Sequence, residues 1–551
     1  MRTTPSNRKE SRRFPYDSSK AQRAQLSVAL VYPSSYAVGM DNLGFQGVYG
    51  LMRADPRVHC ERAFLEKDSS GLSSGHDLHP SGPRLRSFES KQPLKSFDVI
   101  AFSISFENDY LNVLRILKAS GIEPFASKRD KGSPLLLAGG VGVFMNPEPI
   151  SPFMDAIFLG EADEAIEEIL DILVSTRREG KQSVIESLSN VDGMYVPSVH
   201  SPYLKEPGTP LPSKSVKRRY VSELSSTFRS SVISSSRSHL GGMFLAESAR
   251  GCSRKCRFCA VTSVYAPLRF VSTESLLAKI EEGAPARGTV GIVGACVSEY
   301  PRLSELVTVL VKRGLRVSLS SIRADNTSAE LLELIARSGT RTITTAPEAG
   351  TARLRRVINK ELDEARLMET AEVARESGIV SLRLYFMIGL PEEKPEDIEA
   401  IVSLVGAIRT KFLSGRRAGQ VAVSVSPFVP KACTPFQWCQ MLEEHSLRKR
   451  MRSLAKSFSR MSGVRFGAES VRSSILEGAL SRGNWKTAQA LCGLVYDNLN
   501  PRKAWSNAGL CFEAEVFERK DTEAPLPWEH LLIGPTKREL EEELKRALQE
   551  G

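Results

Sequence analysis

Residues 242–260 read "GMFLAESARGCSRKCRFCA", a short apolar run that leads straight into a turn holding Cys252, Cys256 and Cys259. Thiolates hold iron–sulfur clusters, and spacings of two to four residues let a short loop wrap one cube. Structural zinc is the competing reading, but it takes four tetrahedral ligands. No fourth cysteine or histidine lies nearby in the sequence, since His239 precedes the triad across the first strand. Three thiolates on a cube leave one iron open, and an open iron implies a bound small molecule. The charges of Arg250, Arg254, Lys255 and Arg257 fit a site that must offset thiolate ligands; they fit a solvated basic turn equally well.

Working outward from this stretch, five further apolar runs follow at intervals filled by helical patterns. They are "TVGIVGACVS" (289–298), "LRVSLSS" (315–321), "TRTITTA" (340–346), "VSLRLYFMIG" (380–389) and "QVAVSVSPF" (420–428). Six β/α units are too few for an eight-unit barrel, so a partial (β/α)6 barrel is expected over 241–430, with a mostly helical region over 431–551. Upstream, "SVALVYP" (27–33), "HCERAFL" (59–65), "FDVIAFSIS" (97–105), "SPLLLAGG" (133–140) and "MDAIFLG" (154–160) read as strands. Helical stretches at 41–53, 108–121 and 161–175 alternate with them. This pattern predicts an α/β, Rossmann-like doubly wound parallel sheet over 26–180, with its ligand at the C-terminal strand ends. A Ser/Gly/Pro/His-rich loop at 67–87 and a linker region at 181–240, serine-rich over 224–240, interrupt the pattern. Residues 1–25 read as a disordered basic lead-in.

The 551 residues are 41% hydrophobic and 25% charged, enough for a large core without staples. No run approaches the roughly 20 apolar residues that span a bilayer, and the N-terminus lacks the apolar stretch of a secretory signal. A cytoplasmic protein is expected, which makes disulfides among its 9 cysteines a poor reading. Cys296, Cys433, Cys439 and Cys511 read as buried free thiols. The net charge of +11 sits partly in an amphipathic basic helix at 446–465. A solvated helix face explains that helix; a nucleic-acid contact is the sharper alternative.

The triad at the end of the first barrel strand, with aromatic Phe258 before the last cysteine, resembles the radical S-adenosylmethionine (SAM) enzymes. The resemblance implies a [4Fe–4S] cluster whose open iron chelates SAM, and one-electron cleavage to a 5′-deoxyadenosyl radical. It also implies an electron donor such as flavodoxin or ferredoxin. "YFMIGLPEE" (385–393) resembles the family's fifth-strand signature, in which Met387, Gly389 and Glu392 meet the adenine. "APEAG" (346–350) resembles the segment in which Glu348 approaches SAM, and Arg353 and Arg355 would pair with the methionine carboxylate as guanidinium forks. Where the family carries Gly-Gly-Glu, this chain has "GACVSEYP" (294–301), with Gly294, Ala295, Ser298 and Glu299 as stand-ins.

The order of domains resembles the cobalamin (B12)-domain class, in an uncharacterised subfamily. Ser103 and the pair Gly139 and Gly140 stand where such domains take the nucleotide tail of cobalamin. The class's D-x-H-x-x-G is absent, because "SSYAVGMDNLG" has no histidine. Either cobalamin binds without a protein histidine, or the domain has the fold without the cofactor. With cobalamin the implied reaction is methylation of an unactivated carbon; without it, hydrogen abstraction, rearrangement or thiolation. A non-catalytic iron–sulfur sensor or nucleic-acid module is the reading outside this class. The substrate is not named by any of these features.

Overall fold

The computed structural model describes residues 10–12, 18–65, 85–204, 215–320, 322–323, 327–415 and 419–551. The loop expected at 67–87 lies outside them up to residue 84, as do residues 1–9 and 13–17 of the lead-in. A short strand, β1 (Glu10–Arg12), precedes a six-stranded sheet of β2 (Leu26–Tyr32), β3 (Val58–Phe64), β4 (Val99–Ser103), β5 (Leu135–Gly139), β6 (Ala156–Phe158) and β7 (Met194–Tyr195). The order is β3-β2-β4-β5-β6-β7, parallel except for β7. Chain direction across the sheet reverses between β2 and β4, the switch point where open α/β sheets form their ligand crevice.

Strand β3 reads poorly in sequence because it carries His59, Glu61 and Arg62, yet all seven of its residues are buried. Burial is tolerated because each polar group is met: Glu61 lies 2.7 Å from His59 and accepts from Ser90, and Arg62 meets Glu89 at 2.7 Å. Arg62 also reaches Glu10 at 3.2 Å, and this corrects the expectation of a wholly disordered lead-in. Glu10 is drawn in as a counter-ion, and β1 pairs antiparallel with β8 (Ile233–Ser235). The 181–240 region is likewise more than a linker. Helix Lys181–Leu188 and β7 complete the first sheet, and Ser231 and Arg229 hydrogen-bond along the next strand through the Leu245 carbonyl and the Glu247 amide at 2.9 Å each. Its serines hide Phe228, Val232 and Ile233, which supply the apolar contacts.

The second half begins with β9 (Phe244–Glu247), followed by the antiparallel pair β10 (Ala249–Arg250) and β11 (Arg269–Phe270). The parallel strands continue with β12 (Thr289–Val293), β13 (Arg316–Leu319), β14 (Thr342–Glu348), β15 (Ser381–Ile388), β16 (Gln420–Pro427) and β17 (Val464–Ala468). They form a three-stranded sheet, β13-β12-β9, and a four-stranded one, β14-β15-β16-β17. A hydrogen bond from Ile322 N–H to Thr344 C=O at 3.0 Å links the two arcs. All six strands expected for the barrel are present. A seventh, β17, was missed inside the region read as helical, because "VRFGA" is short and half polar.

Alternation fixes which face is which. Leu382, Leu384, Phe386 and Ile388 are buried in one core with Ile401, Leu404, Val405 and Ile408 of helix Pro395–Leu413. Arg383, Tyr385 and Met387 point the other way, into the barrel interior. Among the described residues no helix is long and apolar enough to cross a membrane.

Candidate active site

The cysteine loop occupies residues 251–268, closed at its base by the β10–β11 pair. Gly251 sits at φ +83°, and a Cβ there would stand 2.6 Å from the Tyr265 carbonyl oxygen and 2.7 Å from that of Pro267. Only glycine fits this crossing. Gly251→Ala is expected to loosen the cysteine loop while leaving both sheets folded; hydrogen exchange across 251–268 beside far-UV circular dichroism checks it.

Three neighbours pin the loop. Glu299, after β12, accepts from Ser253 Oγ and pairs with Arg254 at 2.5 Å. Asn359, after β14, donates to the Lys255 carbonyl at 2.8 Å. Arg257 is 4% exposed, held by Glu543 at 3.1 Å and Glu550 at 2.9 Å of the C-terminal segment, and donates to the Arg356 and Val357 carbonyls. Arg254 and Arg257 are therefore committed to carboxylates and do not serve as free charge beside the thiols. Lys360, paired with Glu348, and Arg323, which donates to the Glu361 carbonyl at 3.1 Å, were passed over by sequence reasoning, and both favour the thiolate of Cys256.

Cys256 is buried, and Cys252 and Cys259 are half-buried. Burial pushes the Cys256 thiol up to about 11 against the pull of Lys360, and burial also raises Cys259. Each of the three thiols feels the others, yet among the described residues no three His, Cys, Asp or Glu side chains converge on one ion. Cys296 is 3% exposed, as expected of a buried thiol, and donates to the Gly251 carbonyl at 3.8 Å; its nearness to Cys252 favours the thiolate of Cys252. Cys511 is exposed, contrary to expectation.

Residues 247–405, which carry this loop, match the family model of the radical SAM superfamily. They are a radical SAM domain. Residues 44–197 match the model for the N-terminal region of radical SAM proteins. The chain is thus an enzyme, its reaction unassigned. It is 28% identical over 463 residues to an uncharacterized protein of Methanocaldococcus jannaschii, covering 83% of this chain and 89% of that one. Among solved structures it is similar to OxsB, a cobalamin-dependent S-adenosylmethionine radical enzyme with aqua-cobalamin and S-adenosylmethionine bound, at TM-score 0.42 and 15% identity over 69% of this chain and 51% of that one. SuiB of Streptococcus suis bound to S-adenosylmethionine gives TM-score 0.30 and 16% identity over 41% of this chain and 50% of that one. The chain spans about half the length of each of these solved chains.

Within the radical SAM domain the expected SAM contacts separate into two groups. Gly294, Glu348, Met387 and Gly389 stand at the C-terminal ends of β12, β14 and β15. Phe258 packs half-buried against the main core. Glu348 adopts φ +66° at a bulge and pairs with Lys360 at 2.7 Å; Glu392 adopts φ +62°. Left-handed glutamates are strained, and strain of this kind gathers at functional sites. Arg353 and Arg355 belong to the second group. Arg353 is paired with Asp397, the residue that caps helix Pro395–Leu413, and Arg355 is buried against Glu364 while donating to the Ala349 and Gly350 carbonyls. Both guanidinium groups are committed to the fold, so neither is free to meet a carboxylate of SAM.

A cavity of about 380 Å³ opens at the switch point of the N-terminal sheet and reaches the radical SAM domain. Ser103, Gly139 and Gly140 line it together with Gly251, Gly294 and Ala295, and its deeper walls are apolar, among them Val28, Leu137 and Ile169. Gly140 takes φ +104°, and a Cβ there would collide with the Ile104 carbonyl at 2.4 Å. At the mouth, Glu161 and Asp163 of the first sheet meet Arg250 at 2.9 Å each, with Glu247 on its other side at 2.7 Å. Glu161 and Asp163 were read as the first turn of a helix; the helix starts only at Ile166, and the two carboxylates join the halves of the molecule. Burial pushes both upward, but Arg269 with Arg250 on Glu161, and Arg229 with Arg250 on Asp163, hold them below the ordinary carboxylate range.

Proposed function

We propose that Cys252, Cys256 and Cys259 hold a [4Fe–4S] cluster and that SAM lies over the loop at the mouth of the barrel. The observation that carries this reading is the triad itself, held on a pinned loop at the C-terminal end of the first strand of the radical SAM domain. Three thiols suit a cube that keeps one iron open, whereas structural zinc takes four ligands. A bound cluster would supply the electron that cleaves SAM. This chain's own residues would do the rest. Lys360 and Arg323 offset the thiolates, and Glu299 fixes the loop through Ser253 and Arg254. Phe258, Gly294, Glu348, Met387 and Gly389 border the space for SAM. A flavodoxin- or ferredoxin-type donor supplies electrons.

For the N-terminal sheet, a cobalamin-type role is supported by the cavity at the switch point, whose size falls in the range of cofactor pockets. Its apolar depth suits a flat nucleotide tail, with Ser103, Gly139 and Gly140 at the rim. No cobalt ligand is offered by the loop after β2: Asn42 there caps helix Leu43–Ala54 and donates to Ser105 at 3.0 Å. With cobalamin bound the reaction is methylation of an unactivated carbon by SAM. The cofactor-free reading, hydrogen abstraction or rearrangement, gains support from the missing histidine. Anaerobic reconstitution with hydroxocobalamin decides between them. The cobalamin reading expects a retained base-off spectrum after desalting, lost in Gly140→Val; a cobalamin-free eluate sinks it and leaves the cofactor-free reaction.

A further inference from the structure

The inner wall of the barrel holds two charges that the cysteine loop and the cavity do not use. Thr344, Arg383, Ala422 and Arg465 form one cross-strand row over β14, β15, β16 and β17. The next row is Tyr385, Ser424 and Gly467. Between the two arginines strand β16 presents only Ala422, Ser424 and Ser426, and a Cβ on Gly467 would meet nothing closer than 3.9 Å. The floor is therefore low, with long side chains only at its borders. Arg383 and Arg465 are exposed to this space, and Tyr385 is 41% exposed beside them.

Every other inward charge discussed above is matched. Glu348 has Lys360, and Arg254 has Glu299. Arg383 and Arg465 have no hydrogen-bond or ion-pair partner among the described residues. Two strands apart, their backbones stand about 10 Å from each other, a span over which two guanidinium groups can close on one small anion. Two unmatched cations side by side over small residues are an arrangement completed by a ligand, because Arg forks fit the planar oxygens of carboxylate and phosphate.

We propose that Arg383 and Arg465 form an anion subsite that seats the oxyanion head of the substrate, a phosphate or a carboxylate, with Tyr385 and Ser424 against the part nearer the cysteine loop. That this anion belongs to a substrate rests on the radical SAM reading above; the binding of the anion does not.

The test is a titration of the full-length reconstituted protein with inorganic phosphate, followed by phosphorus NMR line broadening, with succinate as competitor. Saturable phosphate binding is expected, weakened about tenfold or more in R383A and in R465A, a change of about 1.4 kcal/mol or more. R383K should retain part of it, and K449A, on the helix Glu444–Ser459, all of it. Far-UV circular dichroism checks that each variant folds. Displacement by succinate extends the site to carboxylates; failure to displace confines it to phosphate, and both agree with the proposal. Absence of saturable binding of either anion, or wild-type affinity in both alanine variants, overturns it. 5′-Deoxyadenosine formation by the same wild-type sample tests the radical SAM reading separately, so phosphate binding without that product would sink the function and keep the anion site.

Discussion

Cys256→Ala is expected to abolish the iron–sulfur absorbance of anaerobically reconstituted protein and to take 5′-deoxyadenosine formation to background. The thiol is buried, between two half-buried partners, on a loop whose shape Gly251, Glu299, Asn359 and Arg257 enforce. Alanine supplies no donor there, and the pinned backbone brings no substitute. Cys296→Ala is the informative contrast, because Cys296 donates to the Gly251 carbonyl, next to Cys252, and would be the fourth thiol that a zinc site requires. Iron content and product formation are expected to survive that substitution. Stoichiometric zinc in the wild type, lost equally in both variants, would contradict the open-cluster reading. Metal analysis with absorbance spectra reads both.

Arg250→Met is expected to destabilise the junction of the two halves by about 3–5 kcal/mol, the usual cost of leaving buried charge uncompensated. Arg250 is 7% exposed and binds Glu161, Asp163 and Glu247 at once. With it removed, Arg269 still covers Glu161 and Arg229 still covers Asp163, while Glu247 loses its ion-pair contact with Arg250. Glu247→Gln in the same background is expected to restore part of the loss, since it removes the anion whose ion-pair partner was Arg250. Thermal unfolding followed by circular dichroism, with hydrogen exchange across 244–250, reports the change. A midpoint equal to wild type, with unchanged exchange at the junction, would show that the network carries no net stability. Because Gly251 and Cys252 follow directly, iron content should fall as well.

Much of the site was legible because its signals are local. The triad is contiguous in sequence, and each barrel strand announces itself as an apolar run. Strands β3 and β17 were harder, for the same reason seen from two sides. Buried Glu61 and Arg62 make a core strand look polar, and the open inner face of β17 keeps it from looking apolar. Partners distant in sequence were beyond reach. Nothing near Arg353 announces that Asp397 will take it, and nothing near Arg257 announces Glu543 and Glu550. The serine-rich stretch at 224–240 misled because composition hides spacing: Phe228, Val232 and Ile233 carry the packing, and the serines carry hydrogen bonds.

The central claim is that three cysteines leave one iron of a cube open for SAM. The most direct measurement is the electron paramagnetic resonance spectrum of dithionite-reduced, reconstituted wild-type protein with and without SAM. A reduced [4Fe–4S] signal whose g-values move on addition of SAM is the predicted result. A spectrum indifferent to SAM, or a reduced sample with no cluster signal and one zinc per chain, would contradict it.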